Sequence, residues 1–204
     1  MLLVLFTRFN TLSQVRILRY LEELLQKDVK SRVEFLKKLP NSLSIFNAQS
    51  TENKILPALL QQLQDPQIAS FALPSVQAIA ADASKPVFGS SIQPALARLM
   101  ESGAPQPVTY LLLKSLDLLM TSFSAPAQEG CVVPMLVRAL GSGDGHLIQQ
   151  ACLSLVPVAL GHKFTFTALR IKLLPALGQL AFNPKVPISM RVQALVCLGN
   201  PKSP

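Results

Sequence analysis

The sequence has no tryptophan, two tyrosines and two histidines, and only 15% of its residues are charged. So few aromatic residues disfavour a sheet built from β-branched and aromatic side chains. So little charge, with 50% apolar residues, also excludes a disordered chain. Three cysteines, Cys131, Cys152 and Cys197, lie far apart in apolar contexts. They offer no disulfide framework and no paired metal ligands, and read as buried, reduced thiols of a cytosolic protein. His146 and His162 have no carboxylate or cysteine at ligand spacing, so their expected roles are structural. No GxSxG, HExxH, CxxC or Walker A pattern occurs, and "GSGDG" lacks the Lys–Ser/Thr of a phosphate loop. No acid–base pair of carboxylates stands out. These absences predict a non-enzymatic chain with no catalytic, cofactor-binding or metal residues and no small-molecule substrate. Mean hydropathy is +0.38, yet no apolar run approaches the ~18 residues of a membrane span. "MLLVLF" at the start is too short to span and lacks a leader's basic residues and cleavage site; it reads as a core segment.

What the sequence has is proline at a nearly fixed interval. "ILPAL" from Ile55 returns as "IQPAL" from Ile92, "VVPML" from Val132 and "LLPAL" from Leu173. The repeat-defining prolines are Pro57, Pro94, Pro134 and Pro175, separated by 37, 40 and 41 residues. Each sits in a short apolar helical stretch, followed by a breaker such as "DPQ", "ESGAPQP" or "GSGDGH" and then a second helix. In one of those second helices Leu111, Leu112, Ser115, Leu116 and Leu119 form the apolar stripe, with Lys114 and Asp117 off it. Two helices per roughly 40 residues is the period of HEAT and armadillo arrays. A parallel α/β fold would put proline inside four successive strands, where it breaks the ladder. The expected fold is therefore all-α, a superhelical α-solenoid of about five HEAT/armadillo-like helix pairs. Its expected division is one domain over 1–204, with an irregular unit at 1–50 and repeats near 51–86, 87–126, 127–164 and 165–200. Pro57 and Pro175 are expected to bend their helices; Pro94 and Pro134 are as consistent with helix starts.

In the first unit, Thr11 and Gln14 form a capping-box pattern, and Leu18, Leu21 and Leu25 continue one face. Arg19 and Glu23 read as an i,i+4 pair. Asp28 is positioned to cap the next helix, whose apolar positions are Val29, Val33, Leu36 and Leu39 before Pro40. The net charge is +8, and its densest basic run holds Lys30, Arg32, Lys37 and Lys38. The plain reading of that run is a solvated helix face; the functional one is a basic cluster that meets a partner.

The stretch "LRYLEELLQKDVKSRVEFLKKLPNSLSIF" resembles the segment after the kinase-like domain in the Scy-like (N-terminal-kinase-like) pseudokinase family. The resemblance rests on Leu18 to Glu22, Lys27, Asp28, Phe35 to Lys37, Leu39 and Pro40. Leu56 and Pro57, "VVPMLVRA" and "RVQALVCLG" continue it in the same order, nearest to the coated-vesicle-associated branch. Asn47 departs from it where the family often has proline, and the tail after Gly199 leaves the pattern, which favours truncation. The resemblance implies a HEAT-repeat scaffold without its kinase-like domain or C-terminal tail, so ATP binding is not carried over. It implies protein partners among coat or adaptor components in clathrin-linked traffic between Golgi and endosomes. Localisation is then cytoplasmic, peripheral on such vesicles through partners. A tRNA or other nucleic-acid adaptor using the basic N-terminal helices is the alternative. The last helix, "MRVQALVCLG", has no polar capping repeat after it, which predicts a partner on that face or a longer parent chain.

Overall fold

The structure is a computed structural model that describes residues 14–142, 146–160 and 168–199. Among these residues there is no strand. Among the described residues, ten helices follow one another as five successive pairs in the sequence. They are α1 (14–22) with α2 (Val29–Lys38), α3 (48–62) with α4 (Ala69–Asp82), and α5 (85–101) with α6 (106–122). Then come α7 (125–141) with α8 (His146–Leu160), and α9 (168–182) with α10 (Ile188–Leu198). The all-α class and the solenoid of helix pairs are as the proline ruler predicts.

The four ruler prolines all lie inside helices, and each is accommodated in the same way. A π turn ends two residues before the proline every time: Thr51–Ile55, Phe88–Ile92, Gln128–Val132 and Ala168–Leu173. In an α-helix the proline ring would clash with the carbonyl four residues back and would leave that carbonyl without a donor. The π turn inserts one residue and moves the ladder. The residue before proline reaches back five positions: Leu56 N–H donates to Thr51, Gln93 to Phe88 and Val133 to Gln128. Of the two readings open for Pro94 and Pro134, a bend or a helix start, the helix start does not hold. Those helices begin at Lys85 and Ala125, and the prolines of their first turns are Pro86 and Pro126. There the missing donor costs nothing.

Two positions around the ruler proline carry the core. The residues two before it (Ile55, Ile92, Val132, Leu173) and two after it (Leu59, Leu96, Leu136, Leu177) are all fully buried. Four residues apart, they share one helix face. Each such side chain contributes roughly 1.5–3 kcal/mol by leaving water. Pro57, Pro94 and Pro175 point outward, and Pro134 is half-buried.

The chain forms two compact units, residues 1–95 and 96–204. In the first, α4 packs on both α3 and α2, and the 3-10 segment Leu39–Ile45 also lies against it. Tyr20 of α1 stacks on Phe35 of α2 at 4.4 Å between ring centroids and donates its hydroxyl to the Ser31 carbonyl. In the second unit, α6, α8 and α10 pack in order as one layer, and α7 and α9 pack together as the other. Neither layer could bury its apolar side alone, which is why the pairs stack.

Local readings fare unevenly. Asp28 caps α2, accepting from the Ser31 N–H at 3.0 Å and the Ser31 hydroxyl at 2.7 Å. The hydroxyl bond and then the amide bond hold its carboxyl below the usual range. Asn47 accepts the Ser50 N–H and caps α3. Glu23 pairs with Lys27 at 2.8 Å, not with Arg19 as expected. Leu25 is 55% exposed while Leu24 is buried. Here α1 ends at residue 22, and the 3-10 turn Leu24–Gln26 replaces the 3.6-residue period the stripe assumed. Val29 is exposed too, whereas Leu36 and Leu39 are buried as expected. Gln14 donates to the Ile45 carbonyl; Thr11, the other member of the capping-box pattern, lies outside the described residues. In α6, Leu112, Leu116 and Leu119 are buried, and Leu113 and Met120 join them. The helix breaks at Ser115, whose hydroxyl donates to the carbonyls of Leu111 and Leu112.

Candidate functional site

Helix α2 exists because Asp28 caps it and Leu36 anchors it, and it carries the four cations singled out by the sequence. Helical geometry separates them. Lys30 and Lys37, seven residues apart, share a face with Lys38 beside it, while Arg32 falls on the opposite side. Lys30, Lys37 and Lys38 are exposed. Lys37 lies 5.1 Å from the centroid of the Phe71 ring. Arg32 turns inward instead: Nε donates to Gln62 Oε1 at 3.0 Å, and the guanidinium pairs with Asp65 at 3.3 Å. Gln62 is buried, so Arg32 satisfies an acceptor that water cannot reach and ties α2 to the end of α3. Arg32→Ala is expected to cost about 1–3 kcal/mol by stranding that acceptor. Lys30→Ala and Lys38→Ala should stay within about 0.5 kcal/mol. Urea unfolding of the three variants separates them; equal losses would show that Arg32 bears no structural role.

Two other arginines are also spent on the fold. Arg138 donates to the Met100 carbonyl and Arg191 to the Ala181 carbonyl at 3.0 Å, each near the C-terminal end of a first helix. Guanidinium groups suit such places because free carbonyls gather there. Composition could not reveal this, since an arginine used as a cap counts the same as one that faces solvent.

Beside α2, an open cleft of ≈ 540 Å³ is lined by Arg16, Tyr20, Phe35 and Asn41 among others. Lys27 stands 5.7 Å from the Tyr20 ring, so this end of the molecule mixes cations with aromatic faces. In the same unit, a groove of ≈ 430 Å³ has Phe46 and Ile79 in its wall and the carboxylates Glu52 and Asp82 along it. In the second unit a cavity of ≈ 170 Å³ lies beside Arg138, Thr109 and Met135.

All three cysteines are buried and none is in a disulfide. Burial pushes the Cys152 thiol up to about 12, with Cys197 nearby adding to the rise. Burial raises Cys131 and Cys197 as well; for Cys131 the Glu101 carboxylate at 3.6 Å contributes. These are inert thiols, not nucleophiles. Below the ordinary value near 9 the Cys152 thiol is protonated both folded and unfolded, so stability is intact. From there towards 12 only the unfolded chain ionises, and stability falls on the order of 1 kcal/mol per pH unit. Cys152→Ala should flatten that alkaline slope in urea titrations; an unchanged slope would place its source elsewhere.

Among the described residues, no group of three or more His, Cys, Asp or Glu could hold a metal ion. No helix there is long and apolar enough to cross a membrane. His162 lies outside the described residues.

No family model matches the chain. It is similar to SCY1-like protein 2 of Homo sapiens, with 28% identity over 182 residues, which are 89% of this chain and 19% of that protein. The SCY1-like protein 2 of Mus musculus gives the same identity and coverage. A protein kinase domain-containing protein of Schizosaccharomyces pombe is 25% identical over 130 residues, 63% of this chain and 17% of its own length. The chain therefore spans 19% or less of each of these curated relatives. Similarity that runs through nearly nine-tenths of a chain made of paired helices supports kinship with the Scy-like proteins.

Proposed function

We propose that this chain is a non-enzymatic HEAT-repeat scaffold for protein–protein interaction in clathrin- or coat-linked traffic between Golgi and endosomes. The supporting observation is the similarity to SCY1-like protein 2 along 89% of a chain that folds as stacked helix pairs. Such stacks present extended surfaces to partner helices or peptides, with each pair adding one strip of contact. The partners on this reading are coat or adaptor components, and membrane association is peripheral and indirect. Affinity capture from cytosol, with the purified chain as bait, is expected to enrich coat or adaptor proteins. Recovery of none, from cytosol shown to contain assembled coats, would sink the proposal.

A second reading, a tRNA or other nucleic-acid adaptor, draws on the exposed Lys30, Lys37 and Lys38. Phosphate contacts made by these lysines would weaken steeply with salt and would be lost in the triple Lys→Glu variant. Absence of tRNA binding at low salt removes this reading. Arg32 stays out of the variant set because it holds the fold.

A further inference from the structure

Three stretches of chain form the groove of ≈ 430 Å³ in the first unit: the 3-10 segment with Phe46 after it, the start of α3, and the last turn of α4. Leu43 and Phe46 are half-buried and Ile79 is buried, so much of its wall is apolar. The 3-10 segment Leu39–Ile45, at a rise of about 2 Å per residue, gives a wall about 12 Å long, which is room for three or four extended residues.

Charge narrows the occupant. The sequence has 19 basic and 11 acidic side chains, yet the ionisable groups that line the groove are Glu52 and Asp82, both acidic. Among the described residues neither carboxylate makes an ion pair. Lys54 and Lys85, the cations nearest to them in sequence, are exposed and lie outside the lining. The fold asks for one of these acids and not for the other. Glu52, near the start of α3, meets the positive end of that helix, where a carboxylate is welcome. Asp82 is the last residue of α4, where free carbonyls already gather negative charge. No basic residue in the last turn of α4 offsets it. An acid at that place destabilises its own helix, and a cation seated in the groove would reverse the sign. The net charge of +8 does not prevent such an approach: charges beyond about 8 Å are largely screened at physiological salt, whereas the two carboxylates act at contact.

We propose that this groove docks a short extended segment of a partner protein, with an apolar side chain against Phe46 and Ile79 and lysine or arginine side chains on Glu52 and Asp82. This rests on the scaffold reading only in requiring a protein partner. The apolar contact excludes water, and the carboxylates select a basic segment against an acidic one.

The probe is a capped synthetic peptide of alternating arginine and leucine. One counterpart has glutamate in place of each arginine, and another has serine in place of each leucine. The arginine–leucine peptide is expected to bind the full chain, and the two counterparts not to bind. Glu52→Gln with Asp82→Asn is expected to weaken that binding roughly fivefold or more. Glu22→Gln with Glu34→Gln removes the same charge at exposed sites outside the groove, and is expected to weaken it by less than about twofold. Should the groove variant fail to fold, Asp82→Asn alone serves, with a smaller loss in the same direction expected. Equal losses in the two double variants overturn the proposal, since binding would then follow overall charge. Absent binding of the arginine–leucine peptide overturns it too, as does equally tight binding of the serine peptide. Self-association abolished by the groove variant, without peptide binding, overturns it in favour of a second copy. Coat or adaptor capture that survives in the groove variant, alongside absent peptide binding, overturns this groove and leaves the scaffold reading intact. Peptide binding that the groove variant loses, alongside absent coat or adaptor capture, supports the groove and sinks the coat reading.

Discussion

Deleting Gly130 is expected to destabilise the protein by about 3 kcal/mol or more while Pro134 is present. Replacing Pro134 by alanine in the same shortened chain is expected to restore most of that loss. A π turn is an α-helix with one residue inserted, so removing a residue from Gln128–Val132 converts the turn to ordinary α geometry. The helix on either side keeps its buried face, because insertion and deletion cancel. Gly130 is exposed, and a Cβ built on it would meet nothing within 4 Å, so its loss removes no packing. What remains is the proline, now in an α-helix whose carbonyl four residues back collides with its ring. Alanine at 134 removes the collision and supplies the missing N–H. Urea unfolding of the deletion, the Pro134→Ala single variant and the combination measures this directly. Deletion losses that alanine does not relieve would show that the π turn serves some purpose other than housing proline.

Leu136→Ala is expected to cost about 2–5 kcal/mol. Leu136 is fully buried and stands at the place also held by Leu59, Leu96 and Leu177. Truncation there leaves a cavity in a seam where α7 packs on α8 and α9 and where few backbone adjustments can close it. Against a total stability of roughly 5–15 kcal/mol, a loss of this size is a large fraction of what holds a domain together. Pro134→Ala, two residues away and half-buried, should by contrast be neutral or stabilising, because alanine restores a donor and helix propensity. Thermal and urea unfolding of the two variants compares them. A cost for Leu136→Ala below about 1 kcal/mol would mean that this position is not a core anchor.

The parts of the fold legible in the sequence are those where one residue type imposes a local constraint. Proline at four matched places announced the helix pairs, and Asp28 announced the start of α2. The π turns stayed hidden because an inserted residue changes no composition; it shows only as a shift of the apolar face across it. Leu25 was misplaced for a related reason, since the stripe assumed that α1 ran on where the chain tightens into a 3-10 turn. The candidate basic cluster was legible as a run but not as a surface. Arg32 sits among lysines in sequence, and only the arrival of Gln62 at the end of α3 and Asp65 in the turn after it reveals what it does. Partners so far along the chain leave no trace in a local pattern. In α10 the exposed Ile188, Val192, Leu195 and Val196 keep helical spacing as the buried Met190, Ala194 and Cys197 do, and which set would be covered depended on where α8 lies.

The pairing of π turn and proline bears on which substitutions the array tolerates. Each alone is a burden, an extra residue that widens a helix or a ring that collides with it. Their identical offset in four helices, two residues from the end of the turn to the proline, ties the two together. A change that removes one member of a pair therefore leaves the other uncompensated, and the two behave as one coupled unit of sequence.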